Sequence, residues 1–278
     1  MRRYTGLTLA REIVMILVTA VFVLPLYVLV VGAMKSTSEM SDSSALALPS
    51  QVQWSNFLDV LAITGKNSIL IGFVNSVVVT GVTLVLLILI SSMTAYALVR
   101  STRKWASVLF YLFLVGIILP TQLGIVPLFL AARTIGLSGS LWGLVIIYTG
   151  TFLPLSVFLY ATFFRSHPRD YEEAAALDGA GPFRAFWHAV LPLMGPVTVT
   201  VAILSGLVVW NDFFTPLVFL GGSNYPTLPV VIYQYVGSLN SEWNKIFAVV
   251  IIALIPILIF YIATQRRLMQ GFSGGAKE

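Results

Sequence analysis

The chain has 278 residues, of which 58% are hydrophobic and 10% charged, with a mean hydropathy of +0.93 and a formal net charge of +5. A water-soluble domain carries about 25% charged residues, so this composition excludes one. The absence of cysteine excludes a disulfide framework and a thiolate metal site.

Stretches free of Asp, Glu, Lys and Arg follow one another at Ile13–Met34, Asn67–Val99, Trp105–Ala132, Thr134–Phe164, Ala185–Asn211 and Ile246–Gln265. Each reaches the roughly 20 residues that an α-helix needs to cross a bilayer core. They are too long and too continuously apolar for barrel strands. The expectation is an all-α integral membrane protein with six transmembrane helices. The opening "MRRYTGLTLARE" precedes an apolar run of 22 residues. That run exceeds the 7–15 or so of a signal peptide, which predicts a retained first span.

An even number of spans puts both termini on one side. That side, with the loops near 95–106 and 165–190, holds 12 of the 16 Lys and Arg residues. The other side holds Lys35, Lys66, Arg133 and Lys245. The positive-inside rule then predicts cytoplasmic termini. Topology explains the net charge, so nothing points to nucleic acid. The sequence divides into 1–66 (N-terminus, first span and a Ser-rich outer loop), 67–266 (five further spans) and 267–278 (a cytoplasmic tail).

Between the fourth and fifth spans lies "YEEAAALDGAGPFRAFWHAVLP", Tyr171–Pro192. Pro168 suits the first turn of a helix, and Asp170, Glu172 and Glu173 complement its dipole. Ala174 to Leu177 are strong helix formers. Gly179, after Asp178, suits a left-handed stop. Gly181-Pro182 restarts the chain, and Phe183, Phe186, Trp187 and Val190 make one apolar stripe. The short first helix cannot span. It serves either as a docking element with small side chains outward, or as a local amphipathic connector.

This stretch resembles the EAA loop of ABC importer permeases. Glu173-Ala174-Ala175 is followed after three residues by Gly179, and after nine more by Ala189-Val190-Leu191-Pro192. The one departure is Ala189, where the family has Ile. The similarity extends along the chain and narrows to the carbohydrate, maltose-type branch, as its second permease. It is carried by "NSVVVT", "AYALVR", "LPTQLGIVPLFL", "WNDFFTPLVFL", "YPTLPV" and "QRRLMQGFSGGAKE".

The resemblance implies a type I ABC importer permease fold and a coupling helix docked on a cytoplasmic ABC ATPase dimer through Glu173, Ala174, Ala175, Asp178, Gly179 and Pro192. Glu173 matches the family's pairing residue, whereas Glu172 reads as a dipole or solubility residue. Further implied partners are a second, different permease subunit and an extracellular or periplasmic sugar-binding protein, in a bacterial or archaeal cytoplasmic membrane. The loop from Gly221 to Lys245, with Gly222, Asn224, Tyr225 and Pro226, would meet that binding protein. Mg-ATP belongs to the ATPase, because "GFSGGAKE" lacks the Gly-Lys-Ser/Thr of a phosphate loop.

For the substrate pathway the candidates are Gln122, Trp210, Asn211, Asp212 and Phe213. Asp212 falls about 19 residues after Leu193, or ~29 Å along a helix. Gating, structural support and sugar contact all remain open for it. Phe214, Tyr233 and Tyr235 join the aromatics able to stack on pyranose faces. Pro25, Pro120, Pro127, Pro154, Pro216 and Pro256 predict kinks. No catalytic constellation or metal cluster is apparent, and His167 and His188 read as ordinary loop residues. The alternatives are an ABC permease for a non-sugar solute and a self-sufficient secondary transporter. The latter lacks a row of intramembrane carboxylates.

Overall fold

The computed structural model describes residues 6–65, 68–119, 121–238 and 242–273, with backbone alone at 237–238 and 264–273. The chain is helical: α1 (Gly6–Ala33), α2 (Thr37–Asp42), α3 (Ser55–Ala62), α4 (Ile69–Arg100), α5 (Lys104–Ile118), α6 (Thr121–Thr134), α7 (Leu141–Ser166) and α8 (Asp170–Leu177). It continues with α9 (Pro182–Ala185), a π turn (Phe186–Val190), α10 (Leu191–Leu193), α11 (Gly195–Asn211), α12 (Phe214–Phe219), α13 (Leu228–Ser238) and α14 (Trp243–Ser273). Four helices, α1, α4, α7 and the first 21 residues of α14, are long and apolar enough to cross a bilayer. Counting each of two bent pairs, α5 with α6 and the Pro182–Leu193 segment with α11, as one span gives up to six.

The chain packs as two compact units, 1–70 with 231–255, and 71–230 with 256–278. In the first unit, α1 exposes apolar side chains all round and is buried only at Val31, Gly32 and Ala33. A helix apolar on every side is solvated by lipid or by other helices. Gly32 lets α14 approach, since a Cβ there would come within 2.4 Å of the Phe247 ring.

The segment after α1 completes the end of that helix, whose last carbonyls have no partner within it. Asn56 Nδ2 donates to the carbonyls of Ala33 (2.8 Å) and Lys35 (2.9 Å), and Gln53 N to that of Met34. Asn244 Nδ2 in turn donates to Asn56 Oδ1 at 2.9 Å. Lys35, expected as a loop cation, is 1% exposed; its Nζ donates to Ser43 Oγ and the Ser44 carbonyl. Ser36 and Glu39 form a capping box on α2. Hydrogen bonds from Ser50 hold the Glu39 carboxyl at about 2, well below its usual range.

The second unit is built on α7, which packs against α5 and α11. One cluster joins Leu98, Phe110, Tyr160, Phe164, Phe186 and Met194; another joins Val79, Leu144, Tyr148, Val209 and Phe219. Between lipid-bathed helices such packing acts through van der Waals contact and hydrogen bonds rather than water exclusion. Tyr160 and Thr198 supply one such bond, 2.9 Å between α7 and α11. The Arg165 guanidinium lies 4.2 Å over the Phe110 ring, closing the end of α7 onto α5.

The charge-free run Ala185–Asn211 is not one helix, contrary to expectation. Pro182–Leu193 meets α11 at 74°, with the turn at Met194. Just before it the backbone widens into the π turn, Leu191 N donating to the Phe186 carbonyl. Pro192 accounts for this, because it has no N–H for residue 188 and its ring crowds that carbonyl. Pro25, Pro127, Pro154 and Pro256 lie inside helices, Pro216 in α12, and Pro120 falls outside the described residues.

Candidate functional site

Two sites emerge: a short exposed helix after α7, and a cavity among α6, α7, α11 and α12. The helix is α8. It begins at Asp170, so Pro168 precedes it by two residues rather than opening its first turn. Asp170, Glu172 and Glu173 occupy the first turn as expected. At the other end the chain reverses through a complete Schellman motif. Gly179 has φ +78°, Ala180 N donates to the Ala175 carbonyl (2.9 Å), and Gly179 N to that of Ala176 (3.0 Å). Gly181 then caps α9, with Pro182 at its first position.

The faces of this segment divide differently from the sequence reading. Glu173, Ala174 and Asp178 are exposed, whereas Ala175 is half-buried. Leu177, which the sequence reading passed over, is 90% exposed. Its signal was available: it stands four residues after Glu173, on the same helical face. The aromatic stripe also splits. Phe186 and Val190 are buried, but Phe183 is 68% exposed, its ring meeting that of Trp187 edge-on at 6.0 Å. Pro192 is exposed in α10 and shapes the bend instead of lying on α8.

Glu172 corrects the expectation of a mere dipole or solubility residue. Its Oε1 accepts from Arg100 Nη2 at 2.6 Å and Nε at 2.8 Å, and its Oε2 from the Tyr96 hydroxyl at 3.2 Å. His167 follows the end of α7 as a loop residue, whereas His188, expected in a loop, lies inside the π turn. His167 stacks on Phe163 and donates from Nδ1 to the Phe163 carbonyl, and His188 Nδ1 donates to that of Arg184.

The cavity has a volume of about 480 Å³. Gln122, Asn211 and Asp212 all line it, beside Thr151, Tyr148 and Phe152. Trp210 instead lines a separate apolar cavity of about 210 Å³ with Val77, Gly81 and Phe260. Phe213 lines neither and stands at the start of α12. Asp212 is held as a structural residue. Its Oδ1 accepts the backbone N–H groups of Phe214 (2.9 Å) and Thr215 (3.2 Å), and its Oδ2 the Tyr148 hydroxyl (3.0 Å). Asp212→Ala is therefore expected to lower thermal stability by about 1–3 kcal/mol, through three hydrogen bonds left unmade. Asp212→Asn, which keeps an acceptor, should cost less; equal melting temperatures for both variants and wild type would refute the role.

Among the described residues after α12, helix α13 occupies Leu228–Ser238 within the segment read from sequence as turn-rich. Gly222 has φ +79°, and Asn224 and Tyr225 are exposed. Pro226 is buried, its carbonyl accepting Asn75 Nδ2 at 2.8 Å, and Leu228 N donates to Ser76 Oγ at 2.8 Å. Pro226 thus anchors the segment on α4 and presents no free face. Tyr235 is buried and cannot stack on a sugar; Tyr233 is exposed.

A bundle of apolar helices carrying one short acidic helix between spans and a cavity with a few polar groups near its bent helices is the build of a transport permease. The chain belongs to the family described as binding-protein-dependent transport system inner membrane components, whose model matches residues 87–273. It is a multi-pass inner-membrane permease component of an ABC importer. It is 31% identical to the probable starch degradation products transport system permease protein of Thermoanaerobacterium thermosulfurigenes, over 94% of this chain and 93% of that one. It is 33% identical to the diacetylchitobiose uptake system permease protein of Streptomyces coelicolor, over 99% of this chain and 89% of that one. Among solved structures it is similar in fold to a bacterial ABC transporter involved in the import of the acidic polysaccharide alginate. That likeness has a TM-score of 0.82 at 20% identity, over 96% of this chain and 99% of the other.

Proposed function

We propose that the chain forms half of the translocation pathway of an ATP-driven sugar importer, with both termini in the cytoplasm and α8 docked on a cytoplasmic ATPase dimer. A second permease subunit completes the pathway, and an external binding protein delivers the sugar to the segment around Asn224 and Tyr225. Mg-ATP acts on the ATPase and not on this chain. The observation that carries the docking reading is the outward face of α8. Its first turn holds three acids, which keeps it out of hydrocarbon, and yet Leu177 projects almost fully uncovered. An apolar side chain on a water-facing acidic helix is what a partner's cleft would bury.

Two observations support a neutral sugar. The relatives named above serve starch degradation products and diacetylchitobiose. The cavity sets amide, hydroxyl and aromatic groups and the Asp212 carboxylate in a largely apolar wall, with no Lys, Arg or His among its lining residues. Such walls suit hydroxyl-rich uncharged rings better than anionic glycans. A neutral non-sugar solute is the second reading.

The test is purification of the complex after expression with its neighbouring genes. Leu177→Asp is expected to lose the ATPase while keeping the second permease, with at least roughly thirtyfold weaker association for a desolvated anchor worth more than about 2 kcal/mol. Retention of stoichiometric ATPase by the variant would reject the docking face. Uptake of labelled maltodextrin and chito-oligosaccharide, measured in proteoliposomes against acidic oligosaccharide, tests the substrate class. Preference for the acidic probe would reject the neutral-sugar reading.

A further inference from the structure

We propose that Glu172, not only the neighbouring docking face, is a positioning residue for coupling: clamped by Arg100 and Tyr96, it makes α8 move as one body with the end of α4. This rests on the reading of α8 as the ATPase-docking helix.

The clamp uses the whole carboxylate. Both Arg100 donors, Nη2 at 2.6 Å and Nε at 2.8 Å, converge on Oε1, and the Tyr96 hydroxyl takes Oε2 at 3.2 Å. Glu172 and Arg100 side chains are each 17% exposed, so the pair is largely shielded from screening water. Shielded, charge-assisted bonds are about twice as strong as neutral ones. Tyr96 also packs on Phe164 of α7 and Phe186 of the π turn, with ring centroids at 5.5 and 5.2 Å. One residue of α4 therefore touches the end of α7, the coupling segment's carboxylate and the turn that follows it. The space beside the joint, lined by Phe163, Pro168, Val190 and Met194, is only about 20 Å³.

Elsewhere α8 has little to hold it. None of its residues is buried, and among the described residues the Arg100–Glu172 pair is the only ion pair linking it to a long apolar helix. A push on Leu177 would otherwise dissipate in the loops 167–169 and 178–181. With the clamp closed, it reaches the cytoplasmic-side end of a 32-residue helix that also supplies Asn75 and Ser76 to the root of the outer segment.

This chain has no native cysteine, so the label pair can be placed on it without background from its own residues. Cysteines replacing exposed Asp170 and Thr102 in the assembled complex would carry spin labels, with Mg-ATP and vanadate as the only additions. In the otherwise unchanged complex a single narrow distance is expected, kept when vanadate traps the ATPase. Glu172→Gln and Arg100→Gln should each broaden it, and the exchanged pair Glu172→Arg with Arg100→Glu should narrow it again. Uptake per ATP should fall about fivefold or more in the single variants, the range of an ordinary coupling energy. A distribution in Glu172→Gln as narrow as in the parent, or unaltered uptake per ATP, would overturn the clamp. So would loss of the ATPase from Glu172→Gln, which would make Glu172 a docking residue. The docking reading fails separately, if Leu177→Asp keeps its ATPase.

Discussion

Gly143→Ala should prevent the protein from accumulating in folded form. A Cβ at Gly143 would lie 1.9 Å from the Leu137 carbonyl oxygen and 2.8 Å from its carbon. These are backbone atoms, which cannot rotate aside as a side chain does. Nor can the hairpin retreat. Leu137 N donates to the Ala132 carbonyl at 2.8 Å, and Gly139 N to that of Phe219 at 2.7 Å. Gly136 and Gly139 bracket the turn in left-handed conformations, φ +73° and +75°. Overpacking a core costs about 1–3 kcal/mol where side chains can adjust, so a clash with fixed backbone should reach or exceed about 3 kcal/mol. Because α6 and α7 frame the larger cavity through Gln122, Ile147 and Tyr148, the pathway would be lost with the fold. The measurement is the yield of monodisperse protein in mild detergent and its melting temperature. Gly150→Ala, in the same helix with nothing within 4 Å of its Cβ, is the control and should behave as wild type. Equal behaviour of the two variants would show that the α6–α7 turn is not packed as described.

What the sequence made legible follows from what it encodes directly. The apolar runs are visible because charge is excluded from hydrocarbon whatever the neighbours do. The stop at Gly179 is visible because a left-handed residue after a helix selects Gly. The breaks inside apolar runs are hidden, since hydrophobicity continues unchanged across Leu119–Thr121 and Met194 while direction does not. Glu172 and Glu173 look alike in sequence. Rotation of roughly 100° per residue sends one toward Arg100, 72 positions earlier, and leaves the other outward. No local signal could identify that partner. Leu177 is a different case, legible from i, i+4 spacing and overlooked because Ala and Glu dominate the motif.

Gly179→Val is expected to leave the chain folded and to remove the ATPase proposed to dock on α8. The surroundings are open: a Cβ at Gly179 meets nothing within 4 Å, so no packing clash arises. The cost is in the backbone, whose φ of +78° burdens an L-residue by roughly 1–2 kcal/mol, and more for a β-branched one. That is too little to unfold a membrane bundle. It is enough to shift the equilibrium at one turn, and that turn sets both the end of α8 and the start of α9. Once Ala180 N leaves the Ala175 carbonyl, α8 runs on or frays, and Leu177 no longer projects where a cleft can receive it. Gly179→Asn should fall between, because Asn enters the left-handed region more readily. Glu173→Gln should only weaken binding, since an exposed ion pair contributes about 0.2–1 kcal/mol, fivefold at most. Co-purified ATPase and ATP-driven uptake in this series should therefore rank wild type, Glu173→Gln, Gly179→Asn, Gly179→Val. Near-normal uptake in Gly179→Val would mean that the turn's geometry is dispensable, and docking would then have to rest on the Glu173 side chain or on another segment. Loss in Glu173→Gln equal to that in Gly179→Val would instead make one charge, rather than the aim of the helix, the basis of coupling.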